Sequence, residues 1–241
     1  MINIYSNHDI EKIKKSSDIL TECFRYISPL VKIGRKLQEL DQAAYSFIDK
    51  NNAVPAFLGY RNYPASICAS INHVVIHGIP AEQVLADGDI IGIDIGICLD
   101  NWYSDMAYTF LVGNISRFDR ILCTITEEAL YLGIAQAKEG NTVGDISHAV
   151  QTHVEQAGFS VVRDFIGHGI GRKLHEEPAV PNYGKKKSGP KLKKGMILAI
   201  EPMVNAGKYQ VKVLSDGWTA VTKDGKKSAH YEHTVAVGEN G

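Results

Sequence analysis

An internal duplication constrains the fold of this 241-residue chain more than any other feature of its sequence. Two segments, GRKLQELDQAAYSFIDKNNA from Gly34 and GNTVGDISHAVQTHVEQAG from Gly140, carry apolar residues three or four positions apart. That spacing is typical of the buried face of an amphipathic helix, so the two segments are predicted to be equivalent helices. At an offset of 106 residues the matching positions are Leu37 with Val143, Leu40 with Ile146, Ala44 with Val150 and Ile48 with Val154.

Further matches follow the same order in both halves of the chain. They are helical patterns at 8–28 and 116–138, HGIP at 77–80 with HGIG at 168–171, DGDIIGIDIG at 87–96 with KKGMILAIEP at 193–202, and DMAYTFLVG from Asp105 with EHTVAVG from Glu232. Five matches in one order are poorly explained by chance. We predict two similar α+β halves, about 1–113 and 114–241, that pack into a single catalytic domain spanning 1–241.

Each half places an acidic residue in an apolar strand. In IIGIDIG the isoleucines face one side, while Asp94 shares the other side with two glycines; in MILAIEP, Glu201 follows Ala199 on one side. A buried carboxylate costs several kcal/mol unless it is paired or binds a cation. A salt bridge to Arg or Lys is the alternative, but neither strand has a basic residue nearby.

Two more acids, Asp105 and Glu232, occupy corresponding positions, where a loop is predicted to enter a strand. If the halves pack about a pseudo-twofold axis, these acids converge with Asp94 and Glu201. Four carboxylates in one site repel one another, and metal ions would balance their charge. His168, which lies between two glycines, is a candidate nitrogen ligand beside them.

Five such ligands suit two divalent cations with bridging carboxylates. An oxygen-rich set favours Mn, Fe, Co or Zn over a thiolate site and does not choose among them. Two metals about 3.5–4 Å apart can hold a bridging hydroxide and polarise a carbonyl, which suits amide hydrolysis. The sequence contains neither a GxSxG elbow nor an HExxH pair, so nothing in it supports a serine hydrolase or a zincin.

The composition of the chain limits the compartments and the classes of partner that it suits. The net charge of −1 gives no global field that would attract DNA or a membrane surface. The start of the chain has no signal-peptide pattern, and the apolar run from Ile90 to Leu99 is too short to span a bilayer. The four cysteines include no CxxC pair, which suits a reducing compartment. We expect a cytoplasmic protein with neither DNA nor a membrane as partner.

Five motifs resemble those of the type I methionine aminopeptidases in their short form. They are NHVVIHGIP, DIGICLDNWYSDMAYTF, GHGIGRKLHEEP, AIEPMVNAG and SAHYEHT, in that order. The resemblance covers nearly the whole chain. It implies a pita-bread fold, in which two pseudo-twofold-related α/β halves form a central antiparallel sheet with helices outside. It also implies a monomer that removes the N-terminal methionine from nascent chains, with preference for a small second residue.

The resemblance also implies individual roles. The metal ligands would be Asp94, Asp105, His168, Glu201 and Glu232, with Asp105 and Glu232 bridging two metals. Glu201 would also be the general base. His175 would donate to the scissile carbonyl, and His77 would hydrogen-bond the substrate near the scissile amide. The residues of the methionine pocket would be Tyr60, Tyr63, Cys68, His77, Leu174 and Trp218.

Some positions depart from the family pattern or extend it. Phe57 is larger than the small residue expected there, Leu174 stands where Phe is common, and His73 replaces an expected acid. A monovalent cation site would be formed by Asn72, Val74 and Ser228. A solvated loop is the first interpretation of KKKSGPKLKK, and electrostatic contact with ribosomal RNA is the second. The lysines of that segment are Lys185, Lys186, Lys187, Lys191, Lys193 and Lys194.

Two other functions remain open from the sequence. A peptidase of the same fold that cleaves Xaa-Pro bonds is the nearest alternative, although such enzymes usually carry an additional N-terminal domain. A peptide-binding relative without metals is the other. That alternative predicts substitutions among the five ligands, whereas all five residues and both histidines are present.

Overall fold

The computed structural model describes residues 1–239. Four α-helices are present in that range: α1 (Asn7–Ile27), α2 (Leu37–Lys50), α3 (Arg117–Ile134) and α4 (Val143–Gln156). The strands of the first half are β1 (Val54–Pro55), β2 (Cys68–Ile71), β3 (Val74–Ile76), β4 (Ile90–Leu99) and β5 (Trp102–Leu111). Those of the second half are β6 (Ser160–Val161), β7 (Gly167–Gly169), β8 (Glu176–Val180), β9 (Ile197–Ile200), β10 (Met203–Asn205), β11 (Val211–Val213), β12 (Ala220–Thr222), β13 (Ser228–His230) and β14 (Glu232–Ala236).

The central sheet is symmetric about the seam between the halves. Its strand order is β1-β4-β5-β14-β9-β7-β8, with β2 also paired to β4, and every pairing is antiparallel. Reading outward from the β5–β14 seam, β4 and then β2 lie on one side, and β9 and then β7 lie on the other. The strands β4 and β9 are those matched by the sequence repeat, so the duplication is a real pseudo-twofold relation.

The two helices related by the repeat, α2 and α4, each contribute to the hydrophobic core of their own half. The four aligned apolar positions of α2 and the four of α4 are all buried, in two separate clusters, one for each half. Each fully buried side chain of this size contributes about 1.5–3 kcal/mol relative to an exposed one. Ile91, Ile93 and Ile95 of β4 face the core of the first half, as their alternation in sequence predicts.

The helix boundaries follow local hydrogen bonding. The Ser6 hydroxyl accepts from the Asp9 amide at 3.2 Å, and the Asp9 carboxylate accepts from the Ser6 amide at 3.2 Å, which fixes the start of α1. At the start of α3, the Ser116 hydroxyl accepts from the Asp119 amide at 3.1 Å. The predicted 116–138 helix is too long at its end. The helix stops at Ile134, and Lys138 already bridges to Gly238.

The correspondence between HGIP and HGIG is wrong as a structural equivalence. His168 lies on β7 in the central sheet, whose counterpart in the first half is β2. His77 instead follows β3, which belongs to a separate three-stranded sheet with β11 and β12. The two HGI segments share local composition because both require close backbone approach, not because the duplication relates them.

Within residues 1–239, no helix combines the length and apolar character that a bilayer crossing requires. The four cysteines are all free thiols.

Candidate metal centre and substrate cleft

Five strands bring the five predicted metal ligands together. Asp94 lies on β4, Asp105 on β5 and His168 on β7, while Glu201 follows β9 and Glu232 begins β14. The registers place them side by side: Gly96 is opposite Asp105, and Ala107 is opposite both Asp94 and Glu232. All five side chains line one cleft of about 430 Å³ at the seam between the halves.

One detail of this placement differs from the prediction. Asp105 does not enter β5 from a loop, since the strand already begins at Trp102. The β4–β5 hairpin turns tightly at Asp100 and Asn101, both with positive φ, so pairing resumes before the acid is reached. Asp105 is therefore held by sheet pairing to Gly96 of β4. Its amide also donates to Thr234 Oγ1 at 2.9 Å, which ties β5 to β14.

The glycines on either side of Asp94 make room for other groups. A Cβ at Gly96 would lie 2.6 Å from Cε1 of Phe57, and a Cβ at Gly92 would lie 3.7 Å from Cβ of His230. The missing side chain at Gly96 thus accommodates the large Phe57 ring. This contact explains how the chain carries an aromatic residue at a position where a small one was expected.

Burial dominates the electrostatics of the four acids. Desolvation, followed by repulsion from the neighbouring acids Asp105 and Glu201, raises the pKa of Asp94 well above its ordinary value. Desolvation and then the charge of Asp105 do the same to the pKa of Glu201 and of Glu232. Desolvation raises the pKa of Asp105 to about 7.

The donor set fits a divalent cation. Among the residues that the structure describes, Asp94 Oδ1 and Glu232 Oε1 are buried with no hydrogen-bond partner. No lysine or arginine in residues 1–239 forms an ion pair with any of the four acids. Oxygen and imidazole donors that converge without cationic partners are what a bound metal requires.

His168 has the protonation that a ligand needs. Its Nδ1 lies 2.9 Å from the Gly169 carbonyl, which can only accept, so the proton resides on Nδ1. Its Nε2, with a free lone pair, lies 3.5 Å from Glu201 Oε1. Burial lowers the pKa of His168, which keeps the ring neutral and able to bind a cation.

The two other predicted histidines face the same cleft. His175 Nδ1 lies 2.9 Å from the Tyr60 hydroxyl, and its ring centre is 4.3 Å from that of His168. His77 adopts a left-handed conformation with φ of 57°, and its ring lies edge-on to Trp218. Desolvation, followed by a neighbouring histidine, lowers the pKa of both rings to about 4, so both are neutral at physiological pH.

All residues of the predicted methionine pocket line this cleft. They are Tyr60, Tyr63, Cys68, His77, Leu174 and Trp218. Cys68 on β2 is directly opposite Asp94, so the apolar end of the cleft begins beside the acids. The Tyr63 hydroxyl donates within hydrogen-bond distance of the Ile67 and Gly78 carbonyls, which satisfies its polar end and leaves the ring to pack on Trp218. Phe57 and Leu174 belong to the same apolar cluster.

The residues predicted for a monovalent cation lie outside this cleft. Asn72 and Ser228 are in contact, since the Ser228 amide in β13 donates to the Asn72 carbonyl at 2.8 Å, and Val74 begins β3 two residues after Asn72. His73 is exposed, as expected. The six lysines of 185–194 are all exposed, and Lys194 pairs with Glu239.

Three residues that contribute to this region were not among those predicted from the sequence. Arg61 and Gly217 line the cleft, and His230 lies beside the acids. Arg61 and Gly217 come from turns, whose conformation the local pattern does not reveal. His230 is two residues before Glu232, and strand alternation could have placed both on one face.

A larger groove of about 850 Å³ lies between α1 and α3. Its lining includes Arg25, Arg120 and a single acid, Glu127, and no histidine. Because four acids and three histidines converge in the smaller cleft, whereas the larger groove is lined by one acid and no histidine, we assign the chemistry to the smaller cleft.

Comparison with known proteins identifies the class. The sequence matches the profile of Metallopeptidase family M24 over residues 11–239. The methionine aminopeptidase of Clostridium perfringens is 52% identical over 241 residues, which cover 100% of this chain and 97% of that protein. The crystal structure of methionine aminopeptidase from Rickettsia prowazekii has a TM-score of 0.99 and 40% identity, covering 100% of this chain and 98% of that one.

A prolidase from Pyrococcus furiosus shares the fold, with a TM-score of 0.79, 22% identity, and coverage of 99% of this chain and 63% of that one. The chain is thus a pita-bread protein of metallopeptidase family M24. Within that family it belongs to the methionine aminopeptidases.

The raised pKa values generate a prediction for the metal-free protein. Because the pKa of Asp105 is about 7 in the folded chain and near 3.9 when unfolded, its stabilising contribution is present below about pH 4 and is lost as pH rises through about 7. We expect Asp105→Asn to remove this loss of thermal stability between about pH 4 and about pH 7, measured by calorimetry with chelator.

Asp49→Asn is the matched control, since Asp49 is exposed on α2. Asp105→Asn also removes a charge that raises the pKa of Glu201 and of Glu232, so the difference in slope reports the whole effect of the Asp105 charge on the buried acids. Equal slopes for Asp105→Asn and the unmodified protein would contradict this electrostatic account.

Proposed function

We propose that this chain removes the N-terminal methionine from nascent proteins and peptides that have a small second residue, acting as one catalytic domain. The observation that carries the proposal is the cleft itself. Its acids and three histidines adjoin an apolar slot that ends in Tyr63 and Trp218. A flexible thioether suits such a slot, because sulfur makes favourable contacts with aromatic rings.

We place two divalent cations on Asp94, Asp105, His168, Glu201 and Glu232, with Asp105 and Glu232 shared between them. Co, Mn, Fe or Zn would suit these donors. When bound, the cations supply the positive charge that polarises the scissile carbonyl and makes a water more acidic. The buried, unpaired carboxylate oxygens support this arrangement.

Glu201 is the general base in this proposal. Its carboxylate lines the cleft with Oε1 3.5 Å from His168 Nε2, and Asn182 fixes its backbone by donating to the Glu201 carbonyl at 3.0 Å. A carboxylate at this position can take the proton of the attacking water and return it to the leaving amine. We expect Glu201→Gln to lower kcat by about 10²–10⁴-fold.

His175 and Tyr60 act as a pair. If the Tyr60 hydroxyl donates to Nδ1 of His175, the ring proton resides on Nε2, which can then donate to the scissile carbonyl oxygen as negative charge develops there. A neutral ring performs this role without adding a cation beside the metals. His77, also neutral, would accept or donate a hydrogen bond near the scissile amide.

The setting is proposed to be the cytoplasm, with the protein acting as a monomer. Free thiols throughout residues 1–239 suit a reducing compartment. The exposed lysines of 185–194 would contact ribosomal RNA weakly where nascent chains emerge. The monovalent cation site at Asn72, Val74 and Ser228 is a further proposal, and Ser228 and Asn72 are in direct contact there.

Release of free amino acid from three tripeptides tests the reaction. We expect Met-Ala-Ser to yield methionine when the chelated protein is reloaded with Co, Mn or Fe under reducing conditions, and Leu-Ala-Ser to yield almost nothing. Release from Ala-Pro-Ala would favour the Xaa-Pro peptidase alternative. Metal binding without release from any peptide would favour a peptide-binding relative.

Tyr60→Phe tests the pairing with His175. The substitution keeps the ring stacked on His175 and removes the hydroxyl. We expect kcat for Met-Ala-Ser to fall about tenfold while KM changes little, because the lost hydrogen bond affects the donor that acts in the transition state. Tyr45→Phe, at an exposed tyrosine on α2, is the control. An unchanged kcat in Tyr60→Phe would remove the pairing from the mechanism.

Salt-dependent sedimentation with purified ribosomes tests the lysine segment. Replacing Lys185, Lys186 and Lys187 by Gln should weaken association about tenfold at low salt and reduce its salt dependence, because fewer counterions are released. Replacing the exposed Lys32 and Lys50 by Gln is the control. Association that ignores both salt and the lysines would exclude this contact.

A further inference from the structure

His230 is a buried histidine with an unused nitrogen. It ends β13 with 3% of its surface exposed. Its amide donates to Thr109 Oγ1 at 3.0 Å, and its carbonyl accepts from the same hydroxyl at 2.7 Å. Thr109 of β5 therefore fixes both polar groups of the His230 backbone. Within the described chain, its Nε2 is one of the few buried polar side-chain atoms with no hydrogen-bond partner. A group held so firmly and left unpaired requires an explanation.

The unpaired atom faces two of the proposed metal ligands. His230 Nε2 lies 4.0 Å from Glu201 Oε2 and 3.9 Å from Glu232 Oε2. Both distances are too long for hydrogen bonds. Two atoms that each bind one cation at about 2.0–2.2 Å lie at most about 4.0–4.4 Å apart. The three atoms therefore lie within the range that a single shared cation allows.

We propose that His230 is a sixth protein ligand of the metal centre, which contributes a second imidazole nitrogen to the divalent cation held by Glu201 and Glu232. The assignment rests on the proposed metal site and adds a ligand outside the five that the resemblance implies. It also predicts a preference. Imidazole suits Zn, Fe and Co, whereas carboxylate suits Mn, so His230 should favour the former group.

The proton spectrum of the cobalt-loaded protein counts the coordinated histidines. A cobalt-bound imidazole gives a strongly shifted signal from its remaining ring N–H, and that signal disappears in D₂O. We expect one such signal from His168 and a second from His230. The second should be absent in His230→Gln and present in His233→Gln. His233 is a suitable control, because its ring faces Tyr131 on α3 and not the acids.

Calorimetric metal titrations provide an independent readout. The His230→Gln variant should bind Co²⁺ about tenfold more weakly, because removing a group from the surroundings of a bound metal commonly lowers the affinity by at least this much. Its affinity for Mn²⁺ should change less. The histidine count in the unmodified chain requires no variant, so it decides the assignment even if His230→Gln folds poorly.

Three results would overturn the assignment. The first is a single exchangeable imidazole signal in the unmodified protein, and the second is a pair of signals that survives in His230→Gln. In either case the proposed function stands, and His230 Nε2 would form a hydrogen bond to the bound peptide and would not bind metal. The third is an absence of cobalt binding, which would remove the metal centre and the proposed function together.

Discussion

The structure depends on four carboxylates buried at the seam where the two halves meet. Asp105 and Glu232 lie on the two strands that form this seam, and Asp94 and Glu201 lie one strand further out on each side. Bringing four negative charges out of water is costly, and the cost is met only if positive charge enters with them. Among the described residues no lysine or arginine does so, which leaves bound protons or divalent cations as the compensating charge.

This constraint links stability to function. Without metal, the acids can remain buried only by retaining protons, which explains why the pKa of all four is raised. The sheet holds them in place regardless, through continuous pairing along β4 and β5 and the Thr234 link between β5 and β14. The preformed site thus lowers the free energy of unfolding of the metal-free chain. Metal that binds only the folded chain would raise it again by mass action.

Much of this organisation follows from sequence because the signals are local and duplicated. Alternation in β4 shows that Asp94 lies between glycines, and the repeat shows that Glu201 has the same position in the second half. The ends of α3 and β5 were less predictable, since they depend on pairing with distant strands. The false equivalence of HGIP and HGIG arose because similar composition can serve different backbone paths.

The contacts that sequence could not reveal join residues far apart in the chain. The fit of Phe57 over Gly96 joins a loop to a strand. The hydrogen bond between Tyr60 and His175 spans 115 residues. His230 reaches Glu201 only because β13 folds beside the central sheet. Each of these adds to a site whose predicted metal ligands could be selected from the sequence.

Anomalous scattering from crystals grown with Mn²⁺ tests the central claim most directly. The account predicts two strong anomalous peaks between the halves, within bonding distance of Asp94, Asp105, His168, Glu201 and Glu232. An ordered chain with the four carboxylates in place and no anomalous peak among them, at saturating Mn²⁺, would contradict it.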